Sequence, residues 1–233
     1  MKSKLRKIIS FVTNLKLLAA LMFLIITAVN IKYPDQFLNN LPLYFSIVIM
    51  LLAASANRYT YLFGGLNSIL YGVVFFKYRL FASLFQTLAF SAPFQLFTFA
   101  SWSKRKYKHS VEFRSLSKKQ SVIFYSLSAL ACLVFQLVLP LFGASQVFLD
   151  NTGSVLAIMT SVLSLLRFKE FIYFQWAGVL VGLIKYILML EASPEIVAHT
   201  IYHIYSLICL TRSYFSIREL YSAQNSEKKQ VHS

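Results

Sequence analysis

The chain has 233 residues, is 58% hydrophobic and only 13% charged, and carries a formal net charge of +15. That apolar content exceeds what a water-soluble core of this length can use, and it suits about eight membrane spans of roughly 20 residues joined by short loops. In a soluble protein the surplus of bases would point to nucleic acid; here the bases sit in loops and tails beside apolar runs, so lipid bilayer, not nucleic acid, is the expected partner.

Lys2, Lys4, Arg6 and Lys7 precede an apolar run over residues 15–31. No small-x-small cleavage site follows it, so it is read as a retained first helix. A polar turn over 32–40 holds Pro34 and Asp35, and the second helix is expected over 43–57. Arg58 marks the next turn. The third helix covers 61–76 and the fourth 80–102, with Lys77-Tyr78-Arg79 as the corner between them. Pro93 is expected to kink the fourth helix beside Gln95.

Residues 103–120 form the one long hydrophilic segment, with Lys104, Arg105, Lys106, Lys108, Arg114, Lys118 and Lys119 against a single acid, Glu112. It reads as a topology signal and a solvated linker. Further helices are expected over 121–142, 146–166, 171–190 and 196–217, and 219–233 reads as a frayed polar tail. The domain plan is therefore residues 1–40, a basic N-terminus with an extra first span; 41–102, a first set of three helices; 103–120, the basic loop; 121–145, a connecting helix; 146–217, a second set of three; and 218–233, the tail. The expected class is an all-α integral membrane protein of eight transmembrane helices, built as an N-terminal helix plus a 3+1+3 parallel repeat.

The bases orient these spans. With the N-terminus in the cytoplasm, the inner side receives the N-terminal cluster, Arg58, the basic loop, Arg167, Lys169, Arg218, Lys228 and Lys229. The outer side receives few bases, together with Asp35, Asp150, Glu191 and Glu195. This excess predicts a multi-pass plasma-membrane protein with both termini in the cytoplasm. A Lys-Tyr pair closes the middle helix of each set, Lys77-Tyr78 and Lys185-Tyr186, and an odd connector gives both sets the same sense in the membrane.

Polar side chains recur at bilayer depth in residues 61–102, where lipid penalises them, so they are expected to line a cavity. Asn67, Gln86, Gln95 and Gln175 are candidates for hydrogen bonds to a small polar solute. Tyr71, Trp102, Trp176, Tyr202 and Tyr205 are the aromatic candidates for contact with that solute, since rings bury area at low conformational cost. Both tryptophans sit near helix ends; Trp102 suits an interfacial aromatic belt better than a stacking role, and Trp176 suits either. Lys185, the one charge within a span, is expected to snorkel to the outer interface. His199 and His203 stand at i, i+4 without an acidic or cysteine partner, so no metal and no cofactor is expected. Gly64, Gly65, Gly72, Gly178 and Gly182 are read as places of close helix approach. No phosphate loop, HExxH, GxSxG or paired intramembrane acids occur, which points away from an enzyme.

Residues 63–86, FGGLNSILYGVVFFKYRLFASLFQ, resemble the PnuC family of vitamin and nucleoside transporters. Phe63, Gly64, Asn67, Gly72, Phe75, Phe76, Leu80, Ala82 and Ser83 follow the family's order, and Trp102 takes the closing position. The second half is similar in Asp150, the Ser/Ala-rich span after it, and Arg167, Lys169 and Glu170. Where the family has WxxWxxxN, this chain has Ile172, Gln175 and Val179, with Trp176 one place late. The resemblance implies a nicotinamide riboside-like vitamin or nucleoside as substrate, moved without ATP and trapped inside by phosphorylation, and a homo-oligomer, a trimer. Other small polar solutes, such as a sugar or a deoxynucleoside, and a non-transport membrane protein are the competing readings.

Overall fold

The computed structural model describes residues 14–138, 141 and 147–231. The helices are α1 (Leu15–Lys32), α2 (Phe37–Ala54), α3 (Tyr59–Lys77), α4, α5 (Lys118–Val138), α6 (Val147–Leu165), α7 (Phe171–Met189) and α8 (Val197–Val231). The fourth, α4, is made of an α-helical start (Phe81–Phe85), a π-helical stretch (Gln86–Ser91) and a second α-helical part (Ala92–Lys104). A short hairpin, β1 (Lys106–Tyr107) and β2 (Ser110–Val111), follows it. Among the described residues, six helices are long and apolar enough to cross a membrane: α1, α2, α3, α5, α6 and α7.

Six helices close a ring. Contacts run from α2 to α3, α3 to α4, α4 to α6, α6 to α7, α7 to α8, and α8 back to α2. Outside the ring, α5 packs on α6, and α1 packs on α2 and α8. None of the described residues of α5 is buried, as befits a helix whose apolar side chains face lipid.

The second helix starts earlier than its apolar run. Pro34 opens a 3-10 turn (Pro34–Gln36), its missing N–H costing nothing at a helix start, and α2 continues from Phe37. Asn39 and Asn40 are thereby carried into the helix and buried, with Asn40 Nδ2 donating to Asn30 Oδ1 of α1 at 2.7 Å. In α4 the irregularity spreads over the turn before Pro93. A proline nitrogen cannot donate to the carbonyl four residues earlier, and widening the preceding turn into a π-helix absorbs the mismatch. The Lys-Tyr pairs are not equivalent in space: Lys77 ends α3 exposed, whereas Lys185 lies a turn before the end of α7 and is buried.

The basic loop is an ordered buttress instead of a solvated linker. Arg114 N donates to Arg167 O (2.8 Å) and Lys169 N to Arg114 O (3.0 Å), tying the loop to the α6–α7 turn. Glu170 accepts from Ser115 Oγ (2.8 Å) and Leu116 N (3.2 Å). Val111 and Phe113 turn inward and are buried, while the bases stay exposed. The expected frayed tail is helical through Val231, because one face of it has a partner. Leu220 and Gln224 are buried, and Gln224 bonds the loop backbone at Phe113 N (3.0 Å) and Val111 O (2.9 Å). Lys228 pairs with Glu112 and holds its carboxyl below the usual carboxylate range.

Candidate functional site

The ring encloses a cavity of about 350 Å³, walled by side chains from all six of its helices. Volumes of this size and upward hold small-molecule ligands.

One wall is an amide and hydroxyl relay between α2, α3 and α4. Asn67, 4% exposed, donates from Nδ2 to Pro42 O (3.0 Å) and Ser46 Oγ (2.8 Å). Ser46 Oγ lies 3.1 Å from Tyr71 OH. On the next face Gln95 Nε2 donates to Ser91 Oγ (2.6 Å) and Ser68 Oγ (3.1 Å). Thr87 Oγ1 donates to Gln86 Oε1 at 3.2 Å inside the π-helical stretch. Gly64 makes room for this cluster: a Cβ there would stand 1.9 Å from Gln95 Oε1. Gly64→Ala is therefore expected to swing the Gln95 amide off both serines. The outcome to look for is a folded protein, by unchanged thermal unfolding within about 1 kcal/mol, whose solute affinity falls.

The opposite wall belongs to α6, α7 and α8. Ser154, Ala157, Ser161 and Ser164 form a stripe of small residues along α6 facing the cavity, spaced 3, 4 and 3. That spacing puts the four residues on one helical face and is readable in the sequence. Gln175, Gly178, Gly182 and Lys185 from α7, and Tyr202 and His203 from α8, complete the wall. A Cβ at Gly182 would meet His203 Nε2 at 2.7 Å, so that glycine seats the imidazole. His203 Nδ1 is engaged by His199 O at 2.7 Å. Three buried polar atoms of cavity-lining residues, Asn67 Oδ1, Thr60 Oγ1 and Ser154 Oγ, have no partner among the described residues. Groups of this kind are costly unless a solute or solvent satisfies them.

Lys185 does not snorkel. It is 6% exposed and its Nζ lies 3.0 Å from Asp150 Oδ1 and 3.3 Å from Ser83 Oγ. Asp150, taken as an outer-side charge from sequence, is wholly buried in the first turn of α6. Its Oδ2 accepts the backbone N–H groups of Ala82 (3.0 Å) and Ser83 (3.3 Å), and its Oδ1 accepts from the Ser83 hydroxyl. The carboxylate thus caps the N-terminus of α4 from another helix, where the helix dipole favours a negative charge. A lysine and an aspartate each cost several kcal/mol to desolvate alone; paired, and with both carboxylate oxygens hydrogen-bonded, they are tolerated.

The structure brings Asn67, Tyr71, Gln86, Gln95, Gln175 and Tyr202 to the cavity and leaves Trp102, Trp176 and Tyr205 outside it. Trp102 is 1% exposed, so it is not a belt residue either. Its Nε1 donates to Ser164 O at 2.9 Å and its ring meets Tyr61, Phe113 and Phe171 edge-on. Trp176 lies on the outer surface of α7, 41% exposed, with Nε1 3.4 Å from Thr211 Oγ1. Tyr205 is buried between α8 and α2, its OH donating to Ile47 O at 3.2 Å. Among the described residues no cluster of metal-ligating side chains forms.

Three comparisons bear on this geometry. The chain is 27% identical over 172 residues to the nicotinamide riboside transporter PnuC of Neisseria mucosa, a match that covers 71% of this chain and 64% of that relative's length. Its fold is similar to the crystal structure of the vitamin B3 transporter PnuC, with a TM-score of 0.77 at 19% identity, covering 90% of this chain and 92% of that one. The sequence profile described as nicotinamide mononucleotide transporter matches residues 36–215. With the greater part of its length matched by that profile, the chain belongs to the nicotinamide mononucleotide transporter family.

Proposed function

We propose that the chain is a plasma-membrane facilitator for a nucleoside-shaped solute, a flat heteroaromatic ring joined to a hydroxylated group, as in nicotinamide riboside. The observation that carries this reading is the closed ring of six helices around a polar cavity of about 350 Å³. Beyond the bonds that Asn67 and Gln95 make to protein groups, Asn67 Oδ1, Thr60 Oγ1 and Ser154 Oγ are left among the described residues for a polar occupant or water to satisfy. The ring also supports the parallel repeat: α4 meets α6 just as α8 meets α2, the relation expected when two groups of three are turned about an axis along the membrane normal. On this reading all eight helices span the bilayer, both termini are cytoplasmic, and the groups rock about the cavity to expose it to each side in turn. Phosphorylation inside the cell then traps the solute. Asn67 and Gln95 would hold the hydroxylated or carboxamide groups, and Tyr71 and Tyr202 the ring.

Proteoliposomes carrying the full chain test the proposal. Saturable uptake is expected for at least one solute among nicotinamide riboside, thiamine, riboflavin and deoxynucleosides, with Gln95→Ala weakening apparent affinity about tenfold, or 1.4 kcal/mol. Absence of saturable flux for every solute, with the protein folded, would reject it.

A further inference from the structure

The charge of the cavity wall narrows the solute. Among the described residues lining the cavity there is one lysine, Lys185, and no carboxylate. The chain has eight acids in all. Seven of them, Asp35, Glu112, Glu170, Glu191, Glu195, Glu219 and Glu227, lie in turns, the loop and the tail helix. The eighth, Asp150, is 0% exposed, and both of its oxygens are engaged by Ala82 N, Ser83 N, Ser83 Oγ and Lys185 Nζ. The ammonium therefore stands between the carboxylate and the cavity. Two of the rings lining the cavity already face that ammonium, with Lys185 Nζ 5.8 Å from the Phe75 centroid and 5.5 Å from that of Tyr186. An ammonium has three donors, and the protein supplies Lys185 with two acceptors among the described residues.

We propose that Lys185 makes the cavity selective for an uncharged nucleoside that brings a carbonyl to its ammonium, and selective against a permanently cationic ring such as the pyridinium of nicotinamide riboside. This rests on the cavity being the transport site. A fixed cation entering the cavity loses its water, meets no free carboxylate and approaches a like charge. An uncharged ring of the same shape loses less on entry and gains the remaining ammonium hydrogen. Lys185 is thus a specificity-determining residue within the proposed transporter.

The test compares nicotinamide riboside with its reduced 1,4-dihydro form, which has the same outline and carboxamide but no ring charge, and with uridine. Binding to the purified full chain is measured at equilibrium, and uptake in proteoliposomes. The uncharged solutes are expected to bind at least about tenfold more tightly than the cation. The double variant D150N/K185M removes both charges together and so avoids stranding either one. It is expected to bring the ratio between reduced and oxidised nicotinamide riboside to within about threefold. Equal or tighter binding of the cation by the unaltered chain, or an unchanged ratio in a folded double variant, overturns the inference and leaves the transporter reading standing. Absence of binding and uptake for all three solutes and for the wider panel overturns both.

Discussion

Asp150→Ala is expected to cost about 3–5 kcal/mol of stability, because it strands the Lys185 ammonium in the protein interior without its counter-ion. It also uncaps α4, leaving the N–H groups of Ala82 and Ser83 without their acceptor. Lys185→Met is expected to cost less, since Asp150 retains those two backbone donors and the Ser83 hydroxyl. The double variant D150N/K185M should recover most of the loss, because neutral groups of similar size need no desolvated counter-charge. Thermal unfolding of the three variants in detergent checks the order. Additive losses in the double variant would show that the two residues act separately, against the geometry.

The second large effect is expected at Trp102. Trp102→Ala removes a fully buried ring from between Tyr61, Phe113 and Phe171 and should destabilise by about 3–5 kcal/mol. Trp102→Phe keeps most of the packing and loses only the bond to Ser164 O, about 1 kcal/mol. Because the ring lies outside the cavity, the KM for solute should not change in Trp102→Phe while stability falls. A raised KM with unchanged stability would instead place the ring against the substrate. The contact joins α4 to α6 at one end of their interface, as Asp150 joins them at the other. That interface is therefore pinned at both ends, and any movement of α4 against α6 requires at least one pin to yield.

Local periodicity carried a large part of this protein. Apolar runs placed most of the helices, and the amides of Asn67 and Gln95 had to face inward because lipid offers them nothing. These properties depend only on a residue and its neighbours within a turn or two. Boundaries failed where a polar residue found a distant partner: Asn40 entered α2 by bonding Asn30 of α1. The tail stayed helical because Gln224 meets a loop more than a hundred residues away in sequence.

The composition and spacing of the chain by themselves determined that it belongs in a membrane, where its polar interior faces lie, and which amides reach them, since the cost of a polar group in hydrocarbon is decided residue by residue. Tertiary structure alone decided that Lys185 stays inside and not at the interface, because its fate depends on a carboxylate 35 residues earlier on another helix. It likewise decided that Trp102 is a pin between helices, because an indole reads the same in sequence whether its partner is a solute, a headgroup or the carbonyl of Ser164.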